Sequence, residues 1–389
     1  MDKENPDKNS EEEIRFRELP LEGPPSQESE PPAEEAKPPE GPSEGLRLTE
    51  LSDVADQVKS EPTPLELEEI SDKEEFVPIE EETIDLYKDI YKGTSVIYEA
   101  AAEGGPLDIA TLGPLAEALV ASMVRHDPDV GDEEITQNSL YLAVMVTASG
   151  PMDWAAHAIN VATLAVRLGS GRNYDQKELS KLALAGLLHG VGMMGIPISI
   201  LEQSGPLSSK QRSIIESHPL RGEELLSGLG PKFEWLQTVI AQEHERHQGQ
   251  GYPRGLSGND IHEFASLIGV VDSFAAMTHP RSWRPAISPH KAAKEIIFTR
   301  KSEFDPRLIK LFLQKLSIFP INSLVKLSNN LVGRVLIVHE DSPLRPTIEI
   351  LHDPHERHAA DQKVMDLRKR PLIYIVGAIS ERALGQLVK

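Results

Sequence analysis

Four histidines and one aspartate in the middle of the chain have side chains that commonly bind metal ions: His157, His189, His218, His244 and Asp272. Successive members lie 32, 29, 26 and 28 residues apart, and each interval fits one helix plus a connection. Facing helices of a bundle could therefore each point one ligand inward. Imidazole and carboxylate together suit Fe, Mn or Zn better than Ca. The spacing alone leaves open the alternative that each histidine is a hydrogen-bonded core residue.

The region 84–317 carries the periodicity of a helical bundle that could position these side chains. Apolar residues recur there at helical spacing, and Gly, Pro and Asp mark the breaks between segments. We predict helices at residues 87–102, 109–125, 137–146, 155–169, 179–190, 208–216, 222–228, 235–244, 262–276 and 289–299.

After residue 317 the pattern changes to short β-branched runs separated by Asn, Pro, Asp and Gly, as in LVGRVLIVHE and PLIYIVGAI. Such runs are typical of strands. We therefore predict a mainly α protein, with a helical domain at 84–317 and a small β-rich C-terminal segment at 318–389.

The first 82 residues differ from the rest in charge and composition. They hold 27 acidic and 8 basic residues, so they account for most of the net charge of −22. A Pro-rich, acidic segment with few aromatic residues buries too little apolar area to offset its chain entropy. We predict that residues 1–82 are mostly disordered. They serve either as a tether that docks a partner or as a solvating tail.

Composition also argues against several classes of protein. The chain has no cysteine, which excludes disulfides, thiolate nucleophiles and Cys-based zinc sites. No Lys/Arg-rich run of the kind that binds nucleic acid occurs. The N-terminus lacks the apolar stretch of a signal peptide, and the longest apolar run, at 140–146, is too short to cross a membrane. We expect a cytoplasmic protein that binds neither nucleic acid nor membranes.

Four motifs, in order, resemble the HD-GYP family. LLHGVGMMGIPISILEQSGPLSSKQRSIIESHPLRGEELL is similar to the family's central stretch, in which an HD pair precedes GK, IP and HP–G. EHERHQGQGYPRGLSGNDI resembles the segment that names the family. IGVVDSFAAMTHPRSWRPA and EFDPRLIKLF match the next helix and the FDP signature. The resemblance covers about residues 84–317 and implies an HD-type helical bundle.

The resemblance also implies a cyclic di-GMP phosphodiesterase with two or three metal ions in the bundle. The matching metal ligands are the four histidines and the aspartate named above. Asp153, four residues before His157, matches the outer acidic position of trinuclear members. The expected cofactor is thus a divalent metal, Fe, Mn or Zn.

The resemblance implies a nucleotide-facing surface as well. Gly251, Tyr252 and Pro253 form the family's loop, where a tyrosine ring could stack on guanine. The same residues also suit a simple tight turn. Arg281 and Arg284 match the family's basic residues near the phosphates, which a guanidinium can grip with two hydrogen bonds.

The chain departs from the family at five positions around this site. Gly190 stands where the family has the aspartate that bridges two metals, and Met193 replaces a lysine. Glu243 replaces the first histidine of HHE, where it can still bind a metal through oxygen. Gln248 and Ala275 replace two further aspartates. Loss of the bridging ligand predicts reduced metal occupancy and weak catalysis.

These departures favour a non-catalytic regulator that binds cyclic di-GMP or a signalling protein such as a diguanylate cyclase. Two alternatives stay open at this point. One is an active metal-dependent phosphodiesterase with an unusual ligand set. The other is a protein-interaction scaffold in which the histidines are inert core residues.

Overall fold

A computed structural model describes residues 81–123, 153–279, 286–354, 363–380 and 384–385. The prediction of disorder for the acidic tail concerns residues outside this set, apart from 81 and 82. The predicted helix at 137–146 also lies outside the described residues. The same holds for Arg281 and Arg284.

The first part of the described chain is helical. Five of the helices begin after an aspartate or serine whose side chain accepts a hydrogen bond from a backbone N–H in the first turn. This bond satisfies an N–H group that has no partner within the helix. The five residues are Asp153, Asp175, Ser208, Ser288 and Asp305. The helices are α1 Glu81–Ala102, α2 Leu112–Met123, α3 Trp154–Gly169, α4 Gln176–Leu188, α5 Ile198–Leu201, α6 Ser209–Ile215, α7 His218–Ser227, α8 Glu234–Gln242, α9 Glu263–Thr278, α10 Pro289–Lys294 and α11 Pro306–Leu316.

The C-terminal part is an antiparallel sheet of five short strands. Their order across the sheet is β4-β3-β2-β1-β5. Hydrogen-bonded neighbours are consecutive in sequence except for β1 and β5, where Val325 pairs with Ala378. The strands are β1 Leu324–Leu327, β2 Val332–Ile337, β3 Thr347–His352, β4 Lys363–Asp366 and β5 Ile375–Ala378.

Helix α3 lies at the centre of the helical part. It packs against α1, α4 and α9, and nearly all of its residues are buried, including the polar residues His157, Asn160 and Arg167. The apolar core is continuous from these helices into the sheet, where Val325 and Val335 are fully buried. An ion pair between Lys315 and Glu340 adds a polar link between the two parts. The bundle thus holds α3, α4 and α9 in fixed positions around one another.

The prediction of a mainly helical fold with a small β-rich C-terminal segment is confirmed. Two helix starts lie more than three residues from the predicted ones. Helix α7 begins at His218, four residues earlier than predicted, because Pro219 occupies its first turn, where no backbone donor is required. Helix α1 is already formed at Glu81, six residues before the predicted start and the first described residue of the chain. Among the described residues, no helix has the length and apolar character of a membrane span.

Candidate metal centre

Three candidate ligands converge from three different helices. His157 lies in the first turn of α3, His189 directly follows α4, and Asp272 lies in the middle of α9. The Nε2 atom of His157 is 2.9 Å from Oδ1 of Asp272, and Nε2 of His189 is 3.7 Å from the same oxygen. All three side chains are buried. We call this cluster the inner triad.

A second cluster is built from the start of α7 and the residues after α8. Nε2 of His218 is 3.1 Å from Oε1 of Glu243 and 3.1 Å from Nε2 of His244. His218 and Glu243 are buried, whereas 14% of the His244 side chain is exposed. We call this cluster the outer triad. Within each triad the three candidate ligand atoms lie within 4.8 Å of one another.

Backbone carbonyl groups orient two of the histidine rings. Nδ1 of His189 lies 2.8 Å from the carbonyl oxygen of Gly186, and Nδ1 of His218 lies 2.8 Å from that of Ile215. A carbonyl only accepts, so each Nδ1 carries the proton and donates it. In the neutral ring, Nε2 then presents its lone pair to the triad. This arrangement is common for histidines that bind metal ions.

The electrostatics of the two triads are coupled. Burial disfavours a charged His189, yet Glu243 of the outer triad and Asp272 raise its pKa to about 9. Burial also opposes ionisation of Asp272, but hydrogen bonds from His157 and His189 hold its pKa well below the usual range. Gly192, three residues after His189, also lies against the backbone of His218, so the two triads are neighbours.

The pKa of Glu243 is raised, whereas that of Asp272 is lowered. Burial raises the pKa of Glu243, and the nearby His189 and His218 offset this effect only in part. Its Oε2 atom is buried and makes no hydrogen bond to any described residue. Burial and the charge of His218 lower the pKa of His244 well below its ordinary value. A cation in the outer triad would bind the free carboxylate oxygen and separate the two imidazole nitrogens.

The loop of Gly251, Tyr252 and Pro253 covers the outer triad. The ring of Tyr252 stacks on His244 with centroids 4.7 Å apart, and its backbone N–H donates to the carbonyl of His244. A Cβ built on Gly251 would lie 2.6 Å from Cα of Glu245, so only glycine fits there. The loop therefore helps to hold one candidate ligand in place.

Glu245, which the sequence did not single out, anchors this loop. Its buried carboxylate accepts hydrogen bonds from the backbone N–H groups of Arg254 and Leu256, at 2.7 and 2.9 Å. The one sequence feature that pointed to a role for Glu245 was the run Glu243, His244 and Glu245, in which acidic residues flank a candidate ligand. Neighbouring residues on an irregular segment face different directions, and here Glu243 faces the triad while Glu245 faces the loop.

The positions that depart from the family motif lie in different surroundings. Gly190 is buried beside His189, between α4 and a short 3₁₀ turn at Val191–Gly195. Met193 is buried in a small apolar cluster with Ile196 and Ile200. Gln248 is exposed, and Ala275 is buried in α9.

Asp153, which the family resemblance pairs with His157 on one helix, lies just before α3 as its N-cap. One carboxylate oxygen accepts from the backbone N–H of Ala156, and the other accepts from the hydroxyl of Tyr91 at 2.7 Å. The residue is exposed and is in neither triad. The four-residue interval to His157 reflects this cap, because aspartate is favoured where a helix begins.

The chemistry of the donor set fits divalent transition metals. Each triad supplies two imidazole nitrogens and one carboxylate, a combination that suits Fe, Mn or Zn. The partnerless oxygen of Glu243 and the facing nitrogens of His218 and His244 are the features that a bound cation would satisfy. Three protein ligands for each cation leave positions open for a further ligand.

Comparison with known proteins matches two segments of the chain to family models. Residues 136–308, which include both triads, match the model described as HD domain. Residues 324–387, which include the sheet, match the model described as KOW domain associated with HD domain.

The curated relatives include several phosphodiesterases. Cyclic di-GMP phosphodiesterase PA4108 of Pseudomonas aeruginosa is 27% identical over 271 residues, which cover 70% of this chain and 63% of that protein. Cyclic di-GMP phosphodiesterase response regulator RpfG of Xanthomonas campestris is 31% identical over 202 residues, 51% of this chain and 52% of that protein. 3'3'-cGAMP-specific phosphodiesterase 2 of Vibrio cholerae is 26% identical over 182 residues, 46% of this chain and 35% of that protein. The chain thus spans less than two thirds of each of these relatives.

Proposed function

This chain is an HD-domain protein related to the HD-GYP cyclic di-GMP phosphodiesterases, and we propose that it acts in cyclic di-GMP signalling by binding the nucleotide at the two triads, with weak or no hydrolysis. The observation that carries the proposal is the pair of neighbouring triads beside a glycine. Six candidate ligands are in place, while position 190, next to His189, has no side chain.

Binding is supported by the donor set. A pair of divalent cations would neutralise phosphate charge and lower the pKa of a bound water. The chain's own part is to hold the six ligand atoms and to present the half-buried Tyr252 ring at the edge of the outer triad. We propose that Gly251, Tyr252 and Pro253 face the nucleotide. A contact of Arg281 and Arg284 with its phosphates stays a prediction.

Weak hydrolysis is supported by two positions. A carboxylate that holds two cations close together offsets their mutual repulsion, and Gly190 has no atom that could do so. A cationic side chain would stabilise the negative charge that develops on phosphate oxygens. Met193 has no charge, and its side chain is packed with Ile196 and Ile200. Both losses should slow hydrolysis, and the first should also lower metal occupancy.

The test uses the full chain loaded with Mn(II) or Fe(II). Calorimetric titration should detect binding of cyclic di-GMP to the loaded protein and none after chelation. Turnover should stay well below the roughly 1 per second typical of enzymes. His189→Ala should abolish nucleotide binding, whereas His352→Ala, at the end of β3, should leave it unchanged. Titration with 3'3'-cGAMP beside cyclic di-GMP will show which nucleotide the site prefers. A loaded chain that binds neither nucleotide would refute the proposal.

A second candidate function is an active phosphodiesterase. It is favoured by Glu243, because this carboxylate completes the outer triad and its negative charge also acts on His189 of the inner triad. Turnover near 1 per second or faster by the loaded parent protein would establish this function in place of the first.

The same titrations also test the third alternative, the protein-interaction scaffold. A chain that binds neither cation nor nucleotide is the interaction scaffold. A signalling protein as partner, a cytoplasmic location and the lack of nucleic-acid binding stay predictions of the sequence.

A further inference from the structure

A tyrosine from outside the family motifs reaches the candidate metal centre. Tyr98 lies on α1, which packs against α3 and against the 3₁₀ turn after Gly190. The side chain is 4% exposed. The backbone of Gly190 is the hydrogen-bonding group beside its hydroxyl, but the geometry falls short of a normal hydrogen bond. A buried hydroxyl that is only partly satisfied is costly, and it can still bind a further group.

The surroundings of this hydroxyl identify what it faces. A Cβ built on Gly190 would lie 3.3 Å from the Tyr98 oxygen, so the hydroxyl occupies the space into which a side chain at position 190 would extend. Burial, and then the negative charges of Glu243 and Asp272, raise the pKa of Tyr98 above its ordinary value. These two carboxylates belong one to each triad.

The buried oxygens that make no hydrogen bond of normal geometry to the described residues include the Tyr98 hydroxyl and Oε2 of Glu243. A group that satisfies both must accept electron pairs from two oxygens or bridge them by hydrogen bonds. A divalent or trivalent cation accepts electron pairs from both oxygens. Its positive charge would also lower the pKa of the Tyr98 phenol, which the carboxylates raise. Phenolate oxygen is an established protein ligand for iron.

We propose that Tyr98 is a further oxygen ligand of the metal centre, supplied by α1 in the space that Gly190 leaves open. This proposal rests on the proposed function, because it requires that the triads bind cations. It explains why a buried hydroxyl lies beside Gly190 without a hydrogen bond of normal geometry to the described residues. The same residue then provides oxygen where the chain has no carboxylate at position 190.

The first test is Tyr98→Phe in the full chain, which keeps the ring and removes only the oxygen. Affinity for Mn(II), measured by competition with a chelating dye, should fall about tenfold, within the range for loss of a group that supports a metal site. The ferric protein should show a tyrosinate-to-iron absorption band in the visible range, and this variant should lack it. Tyr174→Phe is the matched control, since Tyr174 is a partly buried tyrosine that packs on Phe264, away from the triads.

A rescue variant separates a ligand role from a structural one. In Tyr98→Phe the space beside Gly190 is free, so Gly190→Asp together with Tyr98→Phe should restore Mn(II) affinity. Gly190→Asp alone should be tolerated less well, because its Cβ crowds the Tyr98 oxygen at 3.3 Å.

Equal Mn(II) affinity and no change in ferric absorption between the parent and Tyr98→Phe would overturn the role of Tyr98 while leaving the triads intact. A parent protein that binds no cation at all would overturn the proposed function together with this inference. The two failures are therefore distinguishable.

Discussion

The inner and outer triads contain the same types of side chain but are built differently. The inner triad collects His157, His189 and Asp272 from α3, α4 and α9, all within the buried core. The outer triad takes two neighbouring residues, Glu243 and His244, from the end of α8 and is covered by a loop. The inner cluster is thus fixed by helix packing, and the outer one depends on local chain geometry.

The two carboxylates show what this difference means. Hydrogen bonds from two histidines hold the pKa of Asp272 low, so the inner triad already has its negative charge in place. Burial raises the pKa of Glu243, and one of its oxygens has no partner among the described residues. The inner triad is therefore prepared for a cation. The outer triad needs a cation to offset its buried carboxylate.

The largest expected effect is on the inner triad. Asp272→Asn removes the charge that balances His157 and His189, and the asparagine amide is a weak ligand. Loss of a group that supports a ligand lowers metal affinity about 10–100-fold, so loss of the ligand itself should cost about 100-fold or more. Metal titration of the apo-protein measures this effect. Asp341→Asn, at an exposed aspartate, is the control. Unchanged affinity in Asp272→Asn would refute the inner site.

A smaller effect is expected in the outer triad. Glu243→Gln should reduce the metal content from two cations per chain to one, while the inner cation stays bound. The apo-protein should lose little stability, because the variant replaces a carboxylate whose charge is disfavoured by burial. Elemental analysis and thermal denaturation measure the two results. Glu234→Gln, at the exposed start of α8, should change neither. Loss of both cations in Glu243→Gln would show that the triads do not bind independently.

The loop over the outer triad provides a third prediction. Gly251→Ala places a Cβ against the backbone of residues 244–246, so the loop must shift. We expect a loss of about 1–3 kcal/mol in the free energy of unfolding. Affinity for the outer cation should fall while the inner cation is unaffected. Denaturant unfolding and metal titration measure these effects. Gly228→Ala, where a Cβ meets no atom within 4 Å, should leave both unchanged.

The smallest effect is the response of the apo-protein to pH. The carboxylates raise the pKa of His189 from 6.5 to about 9 on folding. Because the folded value is the higher one, this stabilisation is complete below pH 6.5 and is lost as pH rises through about 9. The melting temperature should therefore fall over that interval. The fall should be absent in His189→Ala and in the metal-loaded protein, where a bound cation keeps the ring neutral. An equal fall in His189→Ala would assign it to other groups.

The sequence predicted the inner triad more completely than its surroundings. His157 and Asp272 lie on long apolar helices and His189 directly follows another, which fits the predicted spacing, and the family resemblance assigned them as ligands. The motif resemblance added Glu243 as an alternative ligand. These predictions rely on local patterns, which a single sequence contains.

Other parts of the site depend on packing between distant segments. Tyr98 lies on α1, before the family motifs begin, and only the packing of α1 against the turn after Gly190 brings its hydroxyl beside position 190. Asp153 has the spacing of a ligand but caps α3 and bonds Tyr91. Met193 stands at a motif position, yet its side chain joins an apolar cluster. Side-chain direction at the ends of helices cannot be obtained from spacing.

The most direct test of the two-triad account is anomalous diffraction from crystals of the full chain grown with Mn(II). The account predicts two anomalous peaks, one among His157, His189 and Asp272 and one among His218, Glu243 and His244. Crystals of Glu243→Gln should keep only the inner peak. A parent crystal with no peak at either triad, or with peaks only elsewhere, would contradict the account.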